Sequence, residues 1–152
     1  MSAKGHLERP GAYVLIIDLA VERNLEVGRL GSFVFPAGTY AYVGSAMKGL
    51  GARLGRHVNP ERKNHWHIDS LTRAGEIRGA FLFPSRTRQE CTIAGRLASV
   101  KGAEPFCRGF GCSDCFCETH LFLLRYDAYR QLARGSGEFV PSDALVRRSS
   151  RR

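Results

Sequence analysis

With 152 residues, against roughly 100–200 for a typical domain, the chain has room for one compact domain and excludes a multi-domain enzyme. Its hydrophobic fraction of 43% and charged fraction of 24% are those of an ordinary globular protein and exclude global disorder. Lys plus Arg number 23 against 14 Asp plus Glu, a formal charge of +9, which is the electrostatic footprint of a polyanion-binding protein and makes nucleic acid the leading partner.

Residues 1–9 form a polar N-terminal extension, a folded domain is expected over 10–126, and residues 127–152 form a C-terminal extension with a basic tail, Arg147 to Arg152. Ala12 to Leu19 (AYVLIIDL) is apolar and β-branched and reads as a buried strand. The longest apolar run, Ala12 to Ile17, has six residues, against the ~20 needed to cross a bilayer. It is also too short for a secretory signal core, so no membrane partner and a cytoplasmic location are expected. Leu25 to Phe35 alternates around two glycines and predicts a hairpin or irregular β excursion, closed by the Pro36-Ala37-Gly38 turn signal. Thr39 to Gly44 (TYAYVG) is a strand whose period of two sends Tyr40 and Tyr42 to one face and Ala41 and Val43 to the other.

Gly49 to Val58 predicts an amphipathic helix, with Leu50 and Leu54 one turn apart and Arg53 and His57 a second i, i+4 pair. Asn59-Pro60 ends it, and His65 to Leu71 (HWHIDSL) starts another helix that stops near Gly75. Ile77 to Phe83 is the next strand, and Ser85 to Ala98 a helix with Cys91, Ala94, Leu97 and Ala98 as its buried stripe. His120 to Tyr126 is a final strand or a short buried helix, which the period does not decide. The order implies a small α/β or α+β domain with a mixed or antiparallel sheet flanked by helices.

Gly11-Ala12-Tyr13 on one strand, Tyr42-Val43-Gly44 on a second, Arg53 with His57 on the following helix and Glu90 on a later one together resemble the GIY-YIG nuclease superfamily. Tyr13 and Tyr42 are 29 positions apart, more than a short hairpin needs, so Leu25 to Phe35 reads as an insertion. Together with Gly38 to Ala46 (GTYAYVGSA), Arg56-His57, His65 to Asp69 (HWHID) and the SDCFCETHLF run, the pattern resembles one branch in particular. That branch is the domain of unknown function 123, found alone or fused to endonuclease III-like DNA glycosylases. The resemblance implies a metal-dependent DNA endonuclease, a role in DNA repair and a repair glycosylase as a partner.

The residue types fit phosphodiester hydrolysis. Glu90 is the candidate ligand for Mg²⁺ or Mn²⁺, which take one or two carboxylates and several waters. Arg53 is the candidate to grip phosphate oxygens bidentately, with Arg56 its competitor and a candidate substrate contact. Tyr13, Tyr42 and His57 all remain open as the group that activates water, the last as a proton shuttle near neutral pH. Glu90 has a plainer reading as well, because Thr87-x-x-Glu90 fits a helix capping box. His65 and His67 are candidate substrate contacts, with His65 and Asp69 also spaced for a structural hydrogen bond along a helix.

Of the five cysteines, Cys107, Cys112, Cys115 and Cys117 fall within eleven residues, a density that suits reduced thiols or a metal cluster better than a disulfide framework. Cys112, Cys115, Cys117 and His120 offer a zinc ligand set, with Cys107 as a spare, and the alternative is a group of partly buried thiols near the active site. A noncatalytic nucleic-acid-binding module, zinc-stabilised if the cysteines bind metal, is the rival to the endonuclease.

Overall fold

A computed structural model describes residues 3–59, 66–112, 115–135 and 137–145. In chain order the elements are helix α1 (Ala3–Leu7), strands β1 (Gly11–Leu19) and β2 (Arg23–Glu26), a 3₁₀ turn (Gly28–Leu30), β3 (Ser32–Phe35), β4 (Gly38–Ala46), helices α2 (Leu50–Val58) and α3 (Ile68–Ala74), and β5 (Glu76–Pro84). They continue with α4 (Glu90–Ala98), β6 (Ala103–Pro105), β7 (Leu121–Leu124), α5 (Tyr126–Ala133) and β8 (Glu138–Pro141). Six strands form one sheet in the order β6-β7-β4-β1-β5-β8, every neighbouring pair antiparallel, and β2 with β3 makes a separate two-stranded sheet. The α/β architecture expected from the sequence is the one observed.

β1 lies in the middle, with strands on both sides and side chains packed on both faces, and this is why AYVLIIDL is almost uninterrupted in its apolar character. Tyr13, Leu15 and Ile17 join Tyr40 of β4, Leu50 and Leu54 of α2, and Ile68 and Leu71 of α3 in one core. The opposite face sends Ala12, Val14, Ile16, Ala41 and Val43 against Ile93, Ala94 and Leu97 of α4 and Ala128 of α5. The alternation expected for Tyr40, Ala41, Tyr42 and Val43 therefore holds. The excursion between the tyrosine strands is the β2–β3 ribbon, antiparallel with Leu25 opposite Phe33.

Three expectations change. The helix predicted over Ser85 to Ala98 starts at Glu90, because Pro84 ends β5 and the Ser85 and Thr87 hydroxyls bind the local backbone and Gln89, a non-helical alternative that such residues favour. Its buried residues are Ile93, Ala94 and Leu97, whereas Cys91 and Ala98 face outward. The folded unit also runs past residue 126: β8 pairs with β5, and His6 Nδ1 in α1 lies 2.6 Å from Glu138 Oε2, joining the two ends of the described chain. The basic tail at Arg147 to Arg152 lies outside the described residues. Among the described residues, no helix is long and apolar enough to cross a membrane.

α2 and α3 are fastened by a buried ion pair. Arg56 donates to both Asp69 oxygens, at 3.1 and 3.0 Å, and the Trp66 backbone N–H donates to Oδ2 at 2.9 Å. The Asp69 side chain is fully buried and Arg56 one-quarter exposed. Arg56, a candidate substrate contact by sequence, is thereby committed to holding the helix that follows the site. Arg56→Met leaves the carboxylate buried without its counter-charge and is expected to lower unfolding free energy by about 3–5 kcal/mol in urea titrations.

Candidate functional site

The site forms where a long strand outruns its neighbour. β7 pairs with β4 only over Thr39 to Tyr42, and after the Val43 N–H donates to the His120 carbonyl at 2.9 Å, Gly44 to Ala46 have no strand on that side among the described residues. A cavity of about 650 Å³ opens there. Tyr13 and Tyr42 come from the sheet, Arg53 and His57 from α2, Trp66 and His67 from just before α3, and Glu90 and Cys91 from the first turn of α4.

The antiparallel register sets Tyr13 opposite Gly44 and Leu15 opposite Tyr42, so the two tyrosines share a face as diagonal neighbours, their ring centroids 6.3 Å apart. Gly44 makes this possible, because a Cβ there would fall inside the Tyr13 phenol. The Tyr13 ring thus crosses its neighbouring strand, and its hydroxyl reaches His57 Nε2 at 2.7 Å in a buried hydrogen bond. Arg53 donates from Nη1 to the Ser45 carbonyl at 3.0 Å, and its guanidinium stacks on Trp66, 4.3 Å from the ring centroid, as does that of Arg56 at 3.9 Å. The indole holds the two arginines apart in role: Arg56 turns to Asp69 and Arg53 lines the cavity.

Glu90 is the first residue of its helix, and the capping box that its spacing permits does not form. Gln89 occupies the cap without a side-chain bond, and Thr87 is engaged with Ser85 and Gln89. One Glu90 oxygen lies 3.6 Å from the exposed Arg88, while Oε2 is buried with no hydrogen-bond partner among the described residues. His67 is fixed in the wall, with Nδ1 accepting from the Gly111 N–H at 2.9 Å. His65 lies outside the described residues, and Asp69, its prospective helical partner, is held by Arg56 and Trp66. Ser45 was not legible as a site residue: its hydroxyl is buried in the cavity wall without a hydrogen-bond partner among the described residues, and nothing in its spacing marks it.

Burial sets the protonation states. Desolvation, reinforced by Tyr42, raises the Tyr13 hydroxyl well above the usual tyrosine value, despite the opposing charge and hydrogen bonding of Arg53. Tyr42 is pushed up to about 12, again chiefly by desolvation. Both phenols are neutral at physiological pH. Desolvation lowers His67 and His120 below the ordinary histidine value, His120 against the pull of Glu90.

All five cysteines are free thiols. Cys91, Cys115, Cys117 and His120 gather their ligand atoms within 4.8 Å of one another, a Cys₃His group that can bind a metal such as zinc. The set differs from the one that spacing suggests: Cys91 of α4 takes the place of Cys112, whose Sγ donates to the Phe110 carbonyl at 3.4 Å. Cys107 is not part of the group either.

The sequence profile of the family described as Domain of unknown function DUF123 matches residues 12–138, and the chain belongs to that family. No curated protein and no solved structure matches the chain.

Gly44→Ala should force the Tyr13 ring out of its slot, break its bond to His57 and cost about 1–3 kcal/mol of stability, to be checked by urea titration and by the His57 ring resonances. The raised tyrosines also fix a pH dependence. From the ordinary value of 10.0 up to about 12, the unfolded chain releases the Tyr42 proton that the folded chain keeps, and Tyr13, held well above the same ordinary value, acts in the same direction. Their contribution to stability is complete below pH 10 and drains away as pH climbs through that interval. In folded protein the tyrosinate absorbance should show a late component that Tyr42→Phe and Tyr13→Phe each reduce.

Proposed function

We propose that this member of the DUF123 family is a metal-dependent DNA endonuclease, hydrolysing phosphodiester bonds in the manner of the GIY-YIG superfamily. The observation that carries the reading is Glu90 Oε2, a buried carboxylate oxygen with no hydrogen-bond partner among the described residues, in the wall of the same cavity as Tyr13, Tyr42, Arg53 and His57. A buried charged oxygen left bare is costly, and a divalent cation removes that cost. One hard carboxylate beside a cavity with space for retained waters fits Mg²⁺ or Mn²⁺. Such an ion, bound at Glu90, supplies Lewis-acid polarisation of the phosphate and stabilisation of the leaving oxygen.

The chain's own groups account for the rest. Arg53, pre-positioned by Trp66 and the Ser45 carbonyl, neutralises a non-bridging phosphate oxygen with a fork that lysine lacks. Neither tyrosine offers a phenolate near neutral pH, so the phenol acts as a relay. The Tyr13 proton passes to His57 Nε2 along the 2.7 Å bond while the tyrosine oxygen accepts the proton of the attacking water, and full charge never develops on the ring. Tyr42 orients that water. The formal charge of +9 draws the polyanion to the site.

Labelled duplex, single-stranded, flap, branched and abasic DNAs, offered with Mg²⁺, Mn²⁺ or chelator, test the reading. Wild type should cut at least one in a metal-dependent way. Glu90→Gln should lose more than about 100-fold in rate, since a metal contributes several kcal/mol to such a transition state, and should keep its DNA affinity. Absence of cutting on every substrate, with salt-sensitive binding intact in both proteins, would replace the endonuclease with a noncatalytic binding module.

A further inference from the structure

We propose that Cys91, Cys115, Cys117 and His120 bind one Zn²⁺ in a closed tetrahedral site that fastens the segment before β7 to the first turn of α4. The geometry is that of a four-coordinate centre. Zn–S bonds of about 2.3 Å and Zn–N bonds of about 2.0–2.1 Å at tetrahedral angles separate sulfur from nitrogen by roughly 3.6 Å. The Cys91 and Cys115 Sγ atoms lie 3.8 and 3.6 Å from His120 Nε2, and all four ligand atoms fall within 4.8 Å of one another. The His120 backbone is tied to β4, its carbonyl accepting from the Val43 N–H at 2.9 Å, which holds the ligand's place in the chain.

The surroundings give the metal something to do. Phe116, between two of the ligands, is fully exposed, and Glu118 is exposed as well. Burial of apolar side chains therefore does not hold this stretch in place. On its far side the Glu118 carbonyl accepts from the Gly109 N–H at 2.7 Å, but toward α4 its polar links are the sulfur and histidine contacts. A Zn²⁺ ion replaces those weak contacts with four coordinate bonds and releases up to three thiol protons as it binds. Because Cys91 directly follows Glu90, the same clamp fixes the turn that presents the Glu90 carboxylate to the cavity. The metal is structural: three thiolates and one imidazole close the coordination shell and leave no position for substrate.

Titration of the reduced, metal-stripped protein with Co²⁺ tests the assignment without reference to nuclease activity. One Co²⁺ per chain should bind, with the d–d bands of a tetrahedral ion and thiolate-to-cobalt charge transfer, and Zn²⁺ should displace it. Cys91→Ser and Cys117→Ser should each weaken binding by at least 100-fold, while Cys112→Ser and Cys107→Ser leave it unchanged. Should Cys91→Ser fail to fold, Cys91→His restores a ligand and should bind Co²⁺ with about one-third less charge-transfer intensity, two thiolates replacing three. Removing the metal from wild type should speed amide exchange of Cys115 to Glu118 and of the first turn of α4 by about tenfold or more, with β1 and β4 unchanged. No bound Co²⁺, a loss caused by Cys112→Ser but not by Cys91→Ser, or exchange indifferent to metal would each overturn the proposal.

Discussion

The cavity depends on one buried contact, the Tyr13 hydroxyl against His57 Nε2 at 2.7 Å. It joins the central strand to α2 across the top of β4, and it exists because Gly44 has no side chain to block the tyrosine ring. Short glycine-tyrosine motifs on adjacent strands thus have a steric meaning in this chain. The glycine of one strand is the floor on which the tyrosine of the other lies, and the antiparallel register makes the two positions face each other. With that ring fixed, Tyr42 stands beside it and α2 is held at a spacing that brings Arg53 to the same opening.

Around this contact the site separates two kinds of charge. Arg56 and Asp69 neutralise each other in a bidentate pair and serve the packing of α2 on α3. Arg53 and Glu90 remain at the cavity, the first braced by Trp66 and a backbone carbonyl, the second with an oxygen that has no hydrogen-bond partner among the described residues. Desolvation keeps both phenols neutral at physiological pH. The Cys₃His group sits at the edge of the same cavity, since Cys91, Cys115 and His120 also line it. A hard carboxylate oxygen at Glu90 and the soft sulfur of Cys91 therefore stand on adjacent residues.

Much of the fold was legible because it is written in short periods. The continuous apolar run of β1 marks a strand buried on both faces, and the alternation in TYAYVG assigns Tyr42 to the Tyr13 face. Spacing along α2 paired Arg53 with His57 on one helical face, whereas Glu90 entered as a candidate only through the GIY-YIG resemblance. Local patterns misled where side chains had alternatives. The Thr87 hydroxyl, which looks like a cap, spends its bonds on the Ser85 hydroxyl and the Gln89 amide. The short strands β6 and β8 and the helix α1 carry too few residues to show a period, and they are fixed by pairing and packing with distant segments.

The sequence by itself determined the α/β class, the two tyrosine strands, the basic charge and the residue types available for phosphate and metal chemistry. Only the tertiary structure decided which of those residues meet. It committed Arg56 to Asp69 and left Arg53 at the cavity, because α3 packs a buried carboxylate against one arginine and not the other. It exchanged Cys112 for Cys91: a thiol 24 positions upstream of Cys115, on another element, joins the ligand group, while the Cys112 Sγ donates to a backbone carbonyl. Spacing along a chain constrains neighbours within a turn or a strand. Convergence of distant side chains is set by how helices dock on the sheet, which no local period encodes.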